Sequence, residues 1–272
     1  MKNIIMKASL FVVLVVMLAG LSSCDKNNKI VLFSIQNDLD LGKQVSEEIA
    51  ANPTQFPILD PATNAEAYTY LIAMRDEILN SGEVAYKDEF AWEIHIINDP
   101  NVLNAFATPG GYIYVYTGLI KYLEKADDLA GVLGHEIAHA DLRHTSRNLQ
   151  KSYGVSILLS ILVGDNSNDL TKIAGQLAGN IAGLSFSRDF EKEADAQSVV
   201  YLSKTSYACN GAAHFFELIE ASGQTGGPAF LSTHPSPDTR IEDINAKATQ
   251  EGCDITPLAD VTGYAAFKAL FQ

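Results

Sequence analysis

The decisive stretch of this chain reads Leu133-Gly134-His135-Glu136-Ile137-Ala138-His139. Two histidines four residues apart lie on the same face of an α-helix, so their imidazoles can bind one metal ion. Glu136 follows the first histidine directly, and its carboxylate therefore projects beside the metal, where a general base for an attacking water belongs. The pattern predicts a zinc hydrolase. The alternative is a pair of core histidines with an unrelated glutamate.

The residues around this stretch favour a helix. Asp127 and Asp128 can cap its N-terminus, where the helix dipole stabilises acidic groups. Four apolar residues then recur at helical spacing, namely Leu129, Val132, Leu133 and Ile137. No proline interrupts the run as far as Arg147. We therefore expect one continuous helix from about residue 127 to residue 147.

A catalytic zinc site needs a third protein ligand and keeps one position open for water. Glu191 and Asp195 are candidates, because residues four apart share one face of a helix. One carboxylate can bind the metal while the other accepts the outer N–H of a ligand histidine. Glu193 lies about 200° away around that helix and is expected to face elsewhere. The alternative is an exposed acidic helix whose charges pair with Arg188 and Lys192.

Further motifs accompany the histidine helix in a fixed order. Before it lie Asn104-Ala105-Phe106-Ala107-Thr108-Pro109-Gly110-Gly111-Tyr112-Ile113-Tyr114-Val115 and then Gly118-Leu119. After it lie Arg143-His144, followed by Ser187-Arg188 with Glu191 and Ala194-Asp195. The last motif is Thr233-His234-Pro235 with Arg240-Ile241. Together with residues 129–139, this set resembles the HtpX and CAAX-prenyl-protease family of zinc endopeptidases, metallopeptidase family 48. The resemblance covers residues 98–205 and 230–241, and it is weaker over residues 36–97.

This resemblance implies an α+β, mostly helical gluzincin fold with a small sheet beside the active-site helix. It implies that His135, His139 and Glu191 bind one zinc ion per chain, with Glu136 as the general base and Asp195 supporting a ligand histidine. It also implies a secreted or membrane-tethered endopeptidase of protein quality control, which cleaves misfolded or unassembled polypeptides.

His234 lies in a loop whose prolines restrict the backbone. By the resemblance, it stabilises the oxyanion of the transition state or takes the open zinc position in a resting state. Otherwise, it is a loop histidine without a catalytic role. Arg240 is expected to anchor this loop to a carboxylate. His144 would lie about 140° around the helix from the second motif histidine, so we assign it a structural role, with Arg143 as a possible partner.

Alternating and apolar patterns predict the remaining elements. These are helices over Asp38–Ala51 and Ala65–Asn80, a strand over Trp92–Ile97, and a hairpin of Val102–Ala107 and Tyr112–Thr117 around Pro109-Gly110-Gly111. Gluzincins align an extended substrate against a sheet edge, so Asn104, Ala105 and Phe106 are the expected substrate-binding residues. The alternative is that the tyrosines of the second strand only fill a half-buried sheet face.

The N-terminal residues predict export and lipid attachment. Lys2 and Lys7 precede the apolar stretch Leu10–Leu21, which is too short for a stable membrane helix. Leu21-Ser22-Ser23-Cys24 fits a lipobox. We expect a lipoprotein signal peptide over residues 1–23, a lipidated Cys24 with a tether over 24–35, and one protease domain over 36–272. The alternative is an ordinary secretory signal with an incidental cysteine.

Charge and apolar runs restrict the partners. Loss of residues 1–23 removes two lysines and changes the net charge from −14 to −16, which argues against nucleic acid as a partner. Val155–Val163 is nine residues long, well short of the roughly 20 that span a bilayer. A lipid on Cys24 would instead hold the protein to a membrane of the cell envelope, facing the periplasm, where envelope proteins could be its partners. In an oxidising compartment Cys209 and Cys253 could form a bridge, but the sequence leaves their pairing open.

Three functions remain compatible with these patterns. The first is a zinc endopeptidase, which the intact ligand set and Glu136 favour. The second is a mostly latent protease that acts as a chaperone-like or assembly factor, because the apolar segment 153–186 could cover the cleft. The third is a zinc hydrolase of cell-wall peptides.

Overall fold

The computed structural model describes residues 26, 31–152, 167–222, 229–235, 239–259 and 263–271. The predicted signal peptide, the lipidation site Cys24 and the apolar run Val155–Val163 lie outside the described residues. Within these ranges, no helix combines the length and the apolar character that crossing a membrane requires.

Helices dominate the described structure, and one small sheet interrupts them. The elements in chain order are helices α1 (Ile35–Ala50) and α2 (Ala65–Leu79), strands β1 (Glu93–Ile97), β2 (Ala105–Thr108) and β3 (Tyr112–Tyr116), and helices α3 (Thr117–Tyr122), α4 (Ala126–Asp141), α5 (His144–Ser152), α6 (Ser167–Asn180), α7 (Arg188–Leu202), α8 (Gly211–Ser222), α9 (Ala229–Thr233), α10 (Arg240–Glu251) and α11 (Tyr264–Ala269). The predicted α+β, mostly helical fold is confirmed.

The sheet has the strand order β1-β3-β2, with β3 parallel to β1 and antiparallel to β2. The structure contains the predicted hairpin, but its strands are shorter than predicted. The first strand begins at Ala105 rather than Val102, and Thr117 already belongs to α3. Gly110 and Gly111 adopt φ of 73° and 85°, a region that favours glycine, which explains the tight turn between the strands.

The two faces of the sheet pack against different helices. Ile96 and Val115 point to a core shared with α2, α4, α7 and α8. Phe106, Tyr114 and Tyr116 point to a second core shared with α1 and α6. Phe106 stacks on Tyr114 with ring centroids 4.7 Å apart. These two tyrosines therefore fill a buried sheet face.

Helix α4 carries the two motif histidines and is buried along its whole length. Asp128 caps its N-terminus by accepting from the Lys125 amide at 2.9 Å, and it also accepts from the His214 ring at 2.8 Å. Asp127 instead accepts from the amides of Ala208 and Leu258, at 2.7 and 2.9 Å. Both acids therefore fix the start of α4 to segments that are distant in sequence.

The prediction of one continuous helix to Arg147 is wrong. Helix α4 ends at Asp141, and Arg143 adopts a left-handed backbone with φ of 57° before α5 begins. Tertiary partners stabilise this break: Asp141 accepts from Tyr201 Oη at 2.7 Å and from the Tyr86 amide at 2.8 Å. Arg143 donates to Asp38 at 2.6 Å. A buried charge pair of this kind stabilises a backbone that local preference disfavours.

A disulfide joins Cys209 to Cys253, which lie 44 residues apart in the chain. It connects the segment before α8 to the segment after α10. Closing a loop of this length lowers the conformational entropy of the unfolded chain and contributes about 4 kcal/mol in the chain-entropy model. The structure therefore pairs Cys209 with Cys253, which the sequence left open.

We predict that Gly131→Ala destabilises the protein, because α4 and α8 meet at Gly131 without space for a side chain. A Cβ atom there would lie 2.1 Å from the Ala212 amide nitrogen. Overpacking of this kind lowers the free energy of unfolding by about 1–3 kcal/mol, which urea unfolding can measure.

The matched control is Gly175→Ala on the exposed face of α6, where nothing lies within 4 Å of the added Cβ. The control should gain about 0.5–1 kcal/mol. Equal midpoints for Gly131→Ala and the parent would contradict the close approach.

Candidate metal centre

Four side chains from three parts of the chain meet in one buried cluster. Helix α4 presents His135 and His139 with their Nε2 atoms 2.9 Å apart. Helix α7 presents Glu191, whose carboxylate oxygens lie 3.4 Å from each of these nitrogens. His234 follows α9, and its Nδ1 lies 3.2 Å from Glu191. The four possible ligand atoms lie within 4.8 Å of one another.

The donor chemistry of this cluster fits zinc. Two imidazoles and one carboxylate form a ligand set that catalytic zinc sites use, with a further position left for water. Both carboxylate oxygens of Glu136 and Nε2 of His234 are buried without a hydrogen bond to the described residues. An unsatisfied buried polar atom costs about 1–3 kcal/mol, so the cavity is built for a polar occupant.

The charges around the cluster also favour a cation. Burial alone would raise the pKa of Glu191, but the nearby rings of His234 and His139 hold it well below the usual range. Burial likewise opposes ionisation of Asp195, yet the Arg240 guanidinium keeps its pKa below the usual value. One arginine therefore faces two buried carboxylates, and the remaining negative charge would be neutralised by a divalent ion.

Asp195 and Arg240 bind the residues of the cluster through hydrogen bonds and ion pairs. Asp195 lies 2.9 Å from Nδ1 of His135, on the side of the ring opposite the cluster. Arg240 donates two hydrogen bonds of 2.7 Å to the same carboxylate. It also lies 3.1 Å from Glu191 and donates to the His234 carbonyl at 3.4 Å. The loop of His234 is thus attached to both carboxylates of α7.

Glu136 faces the same cavity from α4. Its Oε1 lies 3.4 Å from Nε2 of His234. Burial raises the pKa of the Glu136 carboxyl to about 7, although His234 and the backbone amide of Ala107 act in the opposite direction. A group with a pKa near neutrality can both accept and return a proton at physiological pH.

The expected substrate strand is an edge strand whose side chains are buried. Asn104, Ala105 and Phe106 are all buried, and Phe106 belongs to the second core. Asn104 accepts from the Ala105 amide at 3.0 Å. Strand β2 is nevertheless an edge of the sheet, and the backbone of Ala107 lies beside Glu136. The role of this strand in substrate binding stays a prediction, and it is restricted to the main chain.

The sequence prediction missed the surroundings of His139. Nδ1 of His144 lies 2.9 Å from Nδ1 of His139, and Phe186 stacks on the His139 ring at 4.2 Å. Arg143, the suggested partner of His144, instead binds Asp38. Glu193 faces away from the cluster and contacts His144 at 3.2 Å. No sequence signal could reveal these contacts while α4 and α5 were treated as one helix.

Comparisons with known proteins agree with this geometry. The model of peptidase family M48 matches residues 67–248, which is more than half of the chain. The chain is similar to mitochondrial metalloendopeptidase OMA1 of Schizosaccharomyces pombe, with 36% identity over 59% of this chain and 48% of the relative. It is similar to OMA1 of Saccharomyces cerevisiae, with 29% identity over 75% of this chain and 59% of the relative. A third relative is the beta-barrel assembly-enhancing protease of Yersinia pestis, with 29% identity over 58% of this chain and 35% of the relative. The chain thus spans between about a third and three fifths of the length of these relatives.

We predict that the purified protein binds one zinc ion per chain and that His139→Ala or Glu191→Ala abolishes tight binding. Each change removes one of the three expected ligands from a buried cluster. Metal analysis after dialysis measures the occupancy, and Glu220→Ala, which removes an exposed carboxylate on α8, is the control that should retain zinc. Full occupancy in Glu191→Ala would show that the third ligand is another residue.

Proposed function

Because the chain belongs to peptidase family M48 and is therefore a zinc metalloendopeptidase, we propose that the cluster of His135, His139 and Glu191 is its catalytic zinc site. Polypeptides are the substrates of this family. We further propose that misfolded or unassembled proteins of the cell envelope are the polypeptides that it cleaves. The observation that carries the assignment is the buried carboxylate of Glu136 beside three convergent candidate ligands.

Each side chain of the site has a distinct task in the proposed mechanism. A zinc ion held by the three ligands supplies Lewis acidity to a water molecule and to the peptide carbonyl. Glu136 would accept a proton from the attacking water and pass it to the leaving nitrogen. Burial of Glu136 excludes bulk water that would otherwise compete for this proton.

His234 is proposed to stabilise the oxyanion of the transition state. Its Nε2 lies 3.4 Å from Glu136 and has no hydrogen-bond partner among the described residues. Stacking on Phe230 at 4.3 Å fixes the plane of its ring. A donor that is already oriented stabilises developing charge without reorganisation during the reaction. Arg240 and Asp195 hold this loop and His135 in place.

The substrate is proposed to pair with β2, an edge strand of the sheet. An extended peptide that adds a strand to a sheet edge binds mainly through its backbone, so many sequences fit. This mode suits an enzyme that acts on unfolded chains. The Asn104, Ala105 and Phe106 side chains are buried, so the proposal is restricted to main-chain groups.

The cellular location follows from the N-terminal sequence and is part of the proposal. The lipobox that ends at Cys24 supports a lipoprotein of the cell envelope that faces the periplasm. The expected boundary between a tether over 24–35 and a protease domain over 36–272 moves towards the N-terminus, because Val31 and Phe33 are buried in the second core and α1 begins at Ile35. We propose a tether that ends before Val31. The Yersinia pestis relative is named a beta-barrel assembly-enhancing protease, which supports envelope proteins as partners.

A mostly latent protease with a chaperone-like or assembly role is the second candidate, and one observation favours it. His234 Nδ1 lies 3.3 Å from Nε2 of His135 and 3.2 Å from Glu191, so the ring can occupy the position that water needs. In that state, activity would require displacement of His234. Hydrolysis of cell-wall peptides is less favoured, because the family acts on polypeptides.

We predict that Glu136→Gln leaves the zinc content unchanged and lowers peptide hydrolysis by about 10²–10⁴-fold, because an amide cannot accept the proton. The zinc-loaded parent and variant are incubated with an unfolded protein, and the fragments are quantified over time. The unchanged zinc content serves as the control for the integrity of the site. Cleavage at the parental rate would show that Glu136 is not the base.

We predict that His234→Ala lowers cleavage, because loss of one oxyanion donor costs about 3–4 kcal/mol. The measurement is kcat/KM on the same unfolded protein, with zinc coordination followed in a cobalt-substituted sample. A rise in basal cleavage would instead support the latent candidate, in which His234 mainly blocks the metal. Unchanged cleavage and coordination would show that His234 is an ordinary loop residue.

A further inference from the structure

The outer nitrogen of His139 lacks the kind of acceptor that His135 has. A histidine that binds a metal through Nε2 carries its proton on Nδ1, and this N–H usually donates to a carboxylate, a carbonyl or water. His135 meets this need with Asp195, which lies 2.9 Å from its Nδ1. Nδ1 of His139 instead faces Nδ1 of His144 at 2.9 Å.

Only one proton can lie between these two nitrogens. If His139 donates from Nδ1, then Nδ1 of His144 must be the acceptor, and His144 must carry its own proton on Nε2. That Nε2 lies 3.2 Å from a carboxylate oxygen of Glu193. Two hydrogen bonds can therefore run in one direction, from His139 through His144 to Glu193. With the opposite direction, Nε2 of His139 would carry the proton and could not bind a metal.

The surroundings hold this relay in a single geometry. The His144 side chain is fully buried and stacks on Phe190 at 4.5 Å with an interplanar angle of 7°. Arg147 donates to the same oxygen of Glu193 at 2.6 Å. The break at Arg143, with φ of 57°, separates α5 from α4 and thereby lets His144 approach His139.

We propose that His144 and Glu193 are positioning residues, which form a histidine–carboxylate relay that fixes the metal-binding tautomer and ring orientation of His139. The inference rests on the proposed function, because it requires His139 to be a metal ligand. Neither residue is a catalytic residue, since neither faces the cavity. Asp195 accepts a hydrogen bond from Nδ1 of His135 directly. In the relay, Glu193 supports His139 in the same way, but through the ring of His144.

The test compares zinc affinities of metal-free proteins, measured by competition with a chromophoric chelator. His144→Leu removes the acceptor and should weaken zinc binding about 10–100-fold. His144→Asn places an amide oxygen near the former Nδ1 and should recover most of this loss. Glu193→Ala should weaken binding more than Glu193→Gln, because the glutamine retains an oxygen that accepts from His144. The Glu193 pair carries the test if His144→Leu does not fold.

Asp76→Asn is the matched control, because Asp76 is a half-exposed carboxylate that pairs with Arg75 at 2.7 Å far from the relay in sequence. It should bind zinc like the parent. Imidazole ¹⁵N spectra of the zinc-loaded parent provide a second readout, with a protonated Nδ1 on His139 and a protonated Nε2 on His144. The opposite tautomer of His144 would overturn the relay.

Two further outcomes separate this inference from the proposed function. If His139→Ala retains zinc, the ligand assignment fails and the relay fails with it. If His139→Ala loses zinc while folded His144→Leu and Glu193→Ala bind like the parent, only the relay is wrong. Equal losses in His144→Leu and His144→Asn, both folded, would also overturn it, because packing rather than hydrogen bonding would then be responsible.

Discussion

The candidate metal centre depends on the ion pairs of the buried Arg240 guanidinium. This guanidinium lies between Asp195 and Glu191 and compensates part of their negative charge in a cavity without bulk water. Two adjacent buried carboxylates repel each other, and without a cation one of them would take up a proton. Because Arg240 also donates to the carbonyl of His234, the same charge attaches the third motif to α7. The Arg240 side chain from α10 thus holds together α7 and the loop of His234 through ion pairs and a hydrogen bond.

Hydrogen bonds at both ends of α4 fix the positions of its two histidines relative to Arg240. At the N-terminus, Asp127 and Asp128 bind amides and a ring from segments that follow α7. At the C-terminus, Asp141 binds Tyr201 and the backbone near Tyr86. The bridge between Cys209 and Cys253 ties the segment before α8 to the end of α10, the helix that carries Arg240. Carboxylates that accept several hydrogen bonds at both ends of a buried helix leave it little freedom to rotate or slide.

The two faces of the sheet contribute to two different hydrophobic cores. One face completes the core against α4, and the other packs its tyrosines and Phe106 against α1 and α6. The side chains of β2 therefore take part in packing on both faces of the sheet.

The sequence alone predicted the parts of this protein that follow from local periodicity. Residues four apart share a helix face, so the pairing of His135 with His139 and of Glu191 with Asp195 could be inferred without coordinates. The turn at Pro109-Gly110-Gly111 likewise has a local cause, because glycine tolerates positive φ. Motif order added the participation of His234 and Arg240, whose distance from α4 in the chain no periodicity could bridge.

Only the tertiary structure decided the contacts that long-range partners create. The end of α4 at Asp141 depends on Tyr201, Tyr86 and Asp38, which lie between 55 and 105 residues from the groups that they bind. A helical extrapolation past this break placed His144 about 140° away from His139, whereas the two rings are in contact. The pairing of Cys209 with Cys253 was equally inaccessible, because spacing does not report proximity. In each case, the free energy that fixes the local backbone comes from buried hydrogen bonds or a covalent bond to remote residues, and local sequence does not encode it.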